Sequence, residues 1–179
     1  SGGRRLFLTD ARYTLIAKKT VEGFDIIETR SALTEIAKII ADDGLTKIGF
    51  DAQVTFGFYQ GLKTSFASFE LQPLTDFVEE LRLIKDASEI ATIRRACHIS
   101  DQAFLDVLDF IKPGQTSELE VTNFLDYRMR QLGASGASFE FIVASGYRSS
   151  MPHGVASEKI IQTGETLTLD FGCYYKHYV

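Results

Sequence analysis

Short apolar runs broken by polar punctuation organise the first part of the chain. Arg5-Leu6-Phe7-Leu8 predicts a strand running into Thr9-Asp10, and Asp10 is placed to cap a short helix through Tyr13, Ile16 and Ala17. Phe24-Asp25-Ile26-Ile27 reads as a second strand. Ser31 then opens a helix with Leu33, Ile36, Ala37 and Ile40 on one side, and Gly44 closes it. Lys47-Ile48-Gly49-Phe50-Asp51 is a third strand, and a further helix and strand fill the span to about Leu71. Alternation of strand and helix in this manner predicts an α/β layer structure.

The pattern changes near Pro73. A linker over residues 72–76 divides the chain into 1–74 and 75–179. Asp86-Ala87-Ser88-Glu89 has the form of a capping box, and behind it Ile90, Ile93, Cys97, Phe104, Leu108 and Ile111 recur at helical spacing. That helix stops at Pro113-Gly114. Ser117 and Glu120 form a second capping box, and Val121, Phe124, Leu125, Met129 and Leu132 carry a stripe to Gly133. Both stripes are expected to face the core. Residues 133–138 then read as a small-residue loop, Phe139 to Val143 as a strand, Ala144 to Gly154 as a loop, and Thr166 to Phe171 as an alternating strand. The fold class is α/β (α+β): an α/β unit, a linker, and two helices feeding a sheet.

Composition excludes several classes. Among 179 residues, 45% apolar and 24% charged side chains are the proportions of a globular chain and not of a disordered one. The net charge of −5 is spread along the chain without a Lys/Arg-rich run, so no nucleic-acid partner is expected. No apolar stretch approaches the ~20 residues needed to span a bilayer, so no membrane partner is expected either. Cys97 and Cys173 lie far apart, without a CxxC pattern, and read as two buried thiols in a reducing cytoplasm.

Two positions stand out chemically. Alternation places Leu167, Leu169 and Phe171 on one face of the last strand, with Thr166, Thr168 and Asp170 on the other. An Asp at such a strand end calls for a metal ion, a cation or backbone donors in a turn. His153 follows Pro152, which stiffens its approach, and precedes Gly154, which leaves room for something to come close. His98 and His177 carry no such context. Asp170-Phe171-Gly172 also spells the kinase metal-binding triplet, but the Gly-rich loop, strand Lys and catalytic loop of a kinase are missing. HExxH, GxSxG and P-loop patterns are absent as well, and no cofactor-binding motif is found.

Taken in order, four segments resemble the creatinase–prolidase–aminopeptidase P family of "pita-bread" metallopeptidases. They are Phe7-Leu8-Thr9-Asp10-Ala11-Arg12-Tyr13; Leu81-Arg82-Leu83-Ile84-Lys85 through Glu89-Ile90; Ser138-Phe139 through Ser145-Gly146 with Pro152-His153-Gly154; and Gly164-Glu165 through Asp170-Phe171-Gly172. The resemblance covers nearly the whole chain and is nearest to Xaa-Pro aminopeptidase. It implies a creatinase-like N-terminal domain followed by the first part of a pita-bread catalytic domain. It further implies that Asp170 is the first ligand of a two-metal site and that His153 lines the active site and stabilises the reacting peptide. Two divalent ions, manganese first with cobalt or zinc as alternatives, would activate a bridging water. The expected substrate is a proline-containing peptide cleaved before proline, with prolidase-type dipeptide cleavage or a non-catalytic binding role as alternatives.

The resemblance implies a homodimer or higher homo-oligomer, and the two unpaired thiols point to the cytoplasm. The family's remaining ligands, a second Asp and later His and Glu residues, do not occur before Val179, and the chain opens Ser1-Gly2-Gly3 without a methionine. It therefore looks clipped at both ends, and this stretch alone is expected to bind metal weakly and hydrolyse nothing. The N-terminal unit is expected to be the well-ordered part and the last strands the least secure.

Overall fold

A computed structural model describes residues 3–179; Ser1 and Gly2 lie outside the described residues. The chain forms two compact units that divide in sequence between Leu83 and Ile84.

The first unit is built from two β-α-β pieces. Strand β1 (Leu6–Thr9) pairs in parallel with β2 (Asp25–Glu28), and helix α1 (Thr14–Thr20) supplies the crossover that parallel strands require. Helix α2 (Ala32–Asp42) leads to β3 (Lys47–Asp51), which pairs in parallel with β4 (Glu70–Leu74) across helix α3 (Phe56–Ser65). Pro73 lies opposite Phe50 in that pair; lacking an N–H, it suits a strand with one neighbour. A short helix α4 (Glu79–Leu83) ends the unit.

Local capping here departs from expectation. Tyr13, not Asp10, stands at the start of α1, and no side chain caps it. Asp10 instead accepts from Arg12 N, Nε and Nη2 at 2.9, 3.0 and 2.7 Å, so a turn amide and the charged guanidinium fork occupy its carboxylate in place of the helix amides. Ser31 precedes α2 as expected but makes no side-chain cap bond.

In the second unit both capping boxes form. Asp86 accepts from Ser88 N and Glu89 N at the start of α5 (Ala87–Phe110), and Glu89 accepts in return from Asp86 N. Ser117 and Glu120 do the same for α6 (Glu118–Gln131). On α6 the expected stripe faces inward, with Val121, Leu125 and Met129 buried and Phe124 and Leu132 packed beside them. On α5 it does not. The buried face is Ala96, Ile99, Ala103 and Val107, roughly a quarter turn from the expected one at 3.6 residues per turn, while Ile90, Phe104 and Leu108 stay exposed. Small alanines let the α6 backbone and the sheet approach closely, which the larger residues would prevent. Cys97 shares the outer side and is exposed, so only Cys173 of the two thiols is buried.

The sheet strands follow. Residues 133–138, expected as a loop, contain the short strand β5 (Gly136–Ala137), which pairs antiparallel with β8 (Cys173–Tyr174). Strand β6 (Ile142–Ser145) starts later than expected, because Phe139 and Glu140 are exposed and pairing begins only where β7 (Leu167–Asp170) lies alongside. A 3₁₀ turn (Gly146–Ser150) follows β6. The core joins α5 and α6 to the inner sheet face through Val143, Phe141 and Cys173, with Leu167, Leu169 and Phe171 packed against them. The last strands are therefore held by the main core, contrary to the expectation that they would be the least secure.

Candidate functional site

Antiparallel pairing decides where Asp170 points. The register sets Val143 opposite Leu169 and Ile142 opposite Asp170, and directly opposite residues share a face. Val143 and Leu169 turn toward the helices, so Ile142, Ala144, Thr168 and Asp170 occupy the other side. Asp170 is exposed there, and its carboxylate has no hydrogen-bond or ion-pair partner among the described residues.

The segment bearing His153 lies along the same strip. Ile142 bridges Val155 on the side away from β7, so Val155 and Asp170 flank it at roughly 10 Å, two strand spacings. Gly154 is buried, and a Cβ added to it would sit 2.9 Å from the Ala144 Cβ. The expectation that Gly154 permits a close approach is thus met by a specific neighbour on the Asp170 face. Thr168 Oγ1 donates to Ser149 O at 3.3 Å, fastening the 3₁₀ turn to that face. His153 itself is exposed. The structure therefore brings the Asp170 carboxylate and the His153 segment onto one open face. His98 and His177 are exposed as well.

Beneath this segment is a buried carboxylate that local sequence patterns do not reveal. Glu118, at the first position of α6, is 0% exposed. Its Oε1 accepts from Ser145 N and Oγ at 2.7 and 2.9 Å, and its Oε2 from Ser157 N, Ser157 Oγ and Arg148 Nε at 3.1, 2.7 and 3.0 Å. Burial pushes its pKa up, but the hydrogen bonds from Ser157 and Ser145 more than offset this and hold it below the usual carboxylate value. Lys159 Nζ donates to Ser145 Oγ at 2.8 Å and to Glu165 at 2.5 Å, and that hydrogen bond draws the Glu165 pKa down. A Glu in the first turn of a helix is ordinarily explained by the helix dipole, so nothing nearby in sequence marks Glu118. Only the approach of two serines and an arginine from the distant 145–157 segment does.

In the first unit, the Thr9-Asp10-Ala11-Arg12 segment lines a crevice of about 680 Å³ at the carboxyl ends of β1 and β2, with Thr29 and Arg30 opposite. The Arg12 side chain and backbone hold the Asp10 pKa at about 2.

Among the described residues no three His, Cys, Asp or Glu side chains converge to hold a metal ion. The residues present therefore do not by themselves fit a two-metal group; Asp170 offers one hard oxygen donor to it. Among the described residues no helix is long and apolar enough to cross a membrane.

Comparison with known proteins agrees with this organisation. Residues 1–84 match the model of the creatinase/prolidase N-terminal domain, and residues 91–179 that of metallopeptidase family M24. The chain is 46% identical over 180 residues to the uncharacterized peptidase YqhT of Bacillus subtilis (strain 168), covering 99% of this chain and 51% of that protein. It is 37% identical over 136 residues to a Xaa-Pro dipeptidase of Pyrococcus horikoshii, covering 76% of this chain and 38% of that one. Among solved structures, a Xaa-Pro dipeptidase from Bacillus anthracis superposes with a TM-score of 0.92 at 46% identity, covering 98% of this chain and 50% of that one. An X-Pro aminopeptidase from Thermotoga maritima MSB8 gives 0.88 at 34% identity, with 98% and 50% covered. The chain spans about half the length of these two solved chains and of the Bacillus subtilis protein. It consists of a creatinase N-terminal domain followed by part of an M24 domain, and so belongs to the metallopeptidase family whose members include the Xaa-Pro dipeptidases and aminopeptidases.

Proposed function

We propose that the protein carrying this chain is a metal-dependent Xaa-Pro aminopeptidase, removing an N-terminal residue that precedes proline. The observation that carries this reading is the exposed, unpartnered Asp170 carboxylate at the end of β7, on the face shared with the His153 segment. In this assignment Asp170 contributes one ligand and His153 donates to the reacting peptide carbonyl. The M24 family implies divalent metal ions, with manganese first and cobalt or zinc as alternatives. The other ligands come from residues outside this chain, and the 179 residues alone bind metal weakly and hydrolyse nothing. Pairing as a homodimer and residence in the cytoplasm belong to the same proposal, and light scattering and cell fractionation check them.

The test uses the protein with its full ligand set. With manganese, cobalt or zinc added in turn, it cleaves an Xaa-Pro-Xaa peptide and spares the same peptide lacking proline. His153→Ala lowers kcat by roughly 10²–10³-fold, the scale of a lost donor to developing negative charge. Absence of cleavage with every metal defeats the proposal.

A dipeptidase is the second reading, supported by the 46% identity to the Xaa-Pro dipeptidase from Bacillus anthracis. Comparison of Xaa-Pro dipeptides with longer peptides separates the two.

A further inference from the structure

We infer that Glu118 is a positioning residue: its buried carboxylate, acting with Arg148, clasps the base of the 145–157 segment and so fixes where His153 is presented.

The geometry is that of a closed loop with one knot. The segment leaves the sheet at Ser145, turns through Gly146–Ser150, carries His153 and returns at Ser157. Both ends bind the same carboxylate, Ser145 on Oε1 and Ser157 on Oε2. Arg148 ties the interior to this point: its Nε donates to Glu118 Oε2 at 3.0 Å, and its Nη2 to Val155 O at 2.6 Å. One guanidinium therefore spans from the 3₁₀ turn to the residue two beyond His153. Between these anchors the loop sits against the sheet through Gly154 on Ala144 and Ser149 on Thr168.

The chemistry favours this over an ordinary structural ion pair. A carboxylate fully removed from solvent is retained only when its lone pairs are satisfied, and here five donors satisfy them. Four of the five come from the two ends of one loop, and the fifth from its interior. Glutamine cannot substitute, because its amide nitrogen would face hydroxyl, amide and guanidinium donors. Lysine at 148 would keep the charge but lose the fork that reaches Glu118 and Val155 together.

The clasp stands on loop geometry; its effect on cleavage rests on the role proposed for His153. Hydrogen exchange on the 179-residue chain tests the first. Glu118→Gln and Arg148→Ala are compared with Val121→Ala, which removes buried methyl groups one turn along α6 without touching the network. The clasp predicts that amides of 146–156 exchange at least about tenfold faster relative to α6 amides in the first two variants and not in the third. Equal acceleration throughout the unit in all three, or no change in 146–156, overturns it. Arg148 is partly exposed, so Arg148→Ala decides the matter should Glu118→Gln fail to fold. In the protein with its full ligand set, the same two variants lower kcat while KM moves less, and Val121→Ala leaves both in place. A loosened loop with unchanged kcat refutes the role of His153 and leaves the clasp intact.

Discussion

The two units of this chain use similar apolar content differently. The second gathers Ala96, Ile99, Ala103, Val107, Val121, Leu125, Met129 and Val143 into one core, each almost wholly removed from solvent. The first buries Ala17, Leu62 and Phe66, while Leu15, Phe56 and Leu81 remain about three-quarters exposed, at 76, 74 and 76%. Two of its helices start without side-chain caps, at Tyr13 and Ser31, and α3 has a single cap bond from Phe58 N to Thr55 Oγ1, whereas α5 and α6 both carry complete capping boxes. The difference teaches that the stability of the chain is concentrated in the unit that carries Asp170 and His153.

The sharpest way to break this comparison is a pair of truncations. Leu125→Ala, at 0% exposure, is expected to cost about 2–5 kcal/mol, and Leu15→Ala, on the surface of α1, less than about 0.5 kcal/mol. Urea unfolding measures both, and comparable losses would remove the asymmetry. Capping gives a smaller contrast. Ser117→Ala, which removes a hydroxyl that accepts from Glu120 N, is expected to cost about 1 kcal/mol, and Ser31→Ala, which removes no cap bond, close to nothing. Thermal unfolding of the two variants decides it.

The smallest effect is a pH dependence confined to the first unit. Asp10 titrates at about 2 in the folded chain, against about 3.9 for an unfolded Asp. A depressed folded pKa contributes stability that is fully present above the unfolded value and is lost as pH falls through the folded one. Asp10→Asn should therefore flatten the acid limb of first-unit unfolding between about pH 4 and pH 2, followed by circular dichroism, and leave neutral-pH behaviour nearly unchanged.

Much of the fold was legible in the sequence wherever a local rule is self-sufficient. The capping boxes at Asp86 and Ser117, the strand at Lys47–Asp51 and the alternating strand expected over Thr166 to Phe171 and found at Leu167–Asp170 need only neighbouring residues to be read. What failed depended on partners. The buried face of α5 was misjudged because size suggested Phe104 and Leu108, while close packing selected Ala96 and Ala103. Strand β6 was displaced because its limits are set by β7, not by its own β propensity. The cap expected of Asp10 was lost to Arg12, two residues away, whose side chain could have served equally well in solvent. The side of β7 that carries Asp170 followed from strand parity, but that the His153 segment lies along the same side was implied only by the family resemblance. Glu118 followed from neither, because its partners lie 27 to 39 positions away.

The contact between Gly154 and Ala144 carries a consequence for how this molecule can vary. A hypothetical methyl at 154 would lie 2.9 Å from the existing one at 144 and 3.3 and 3.4 Å from the carbonyl oxygens of Arg148 and Met151. Glycine at 144 would relieve the nearest of these contacts but not the two with backbone, so an alanine at 154 stays crowded, and a larger side chain at 144 has nowhere to go while the loop stays seated. Any side chain at 154 must therefore shift the loop's own backbone, and bulk added at either position lifts the imidazole-bearing segment from its strand.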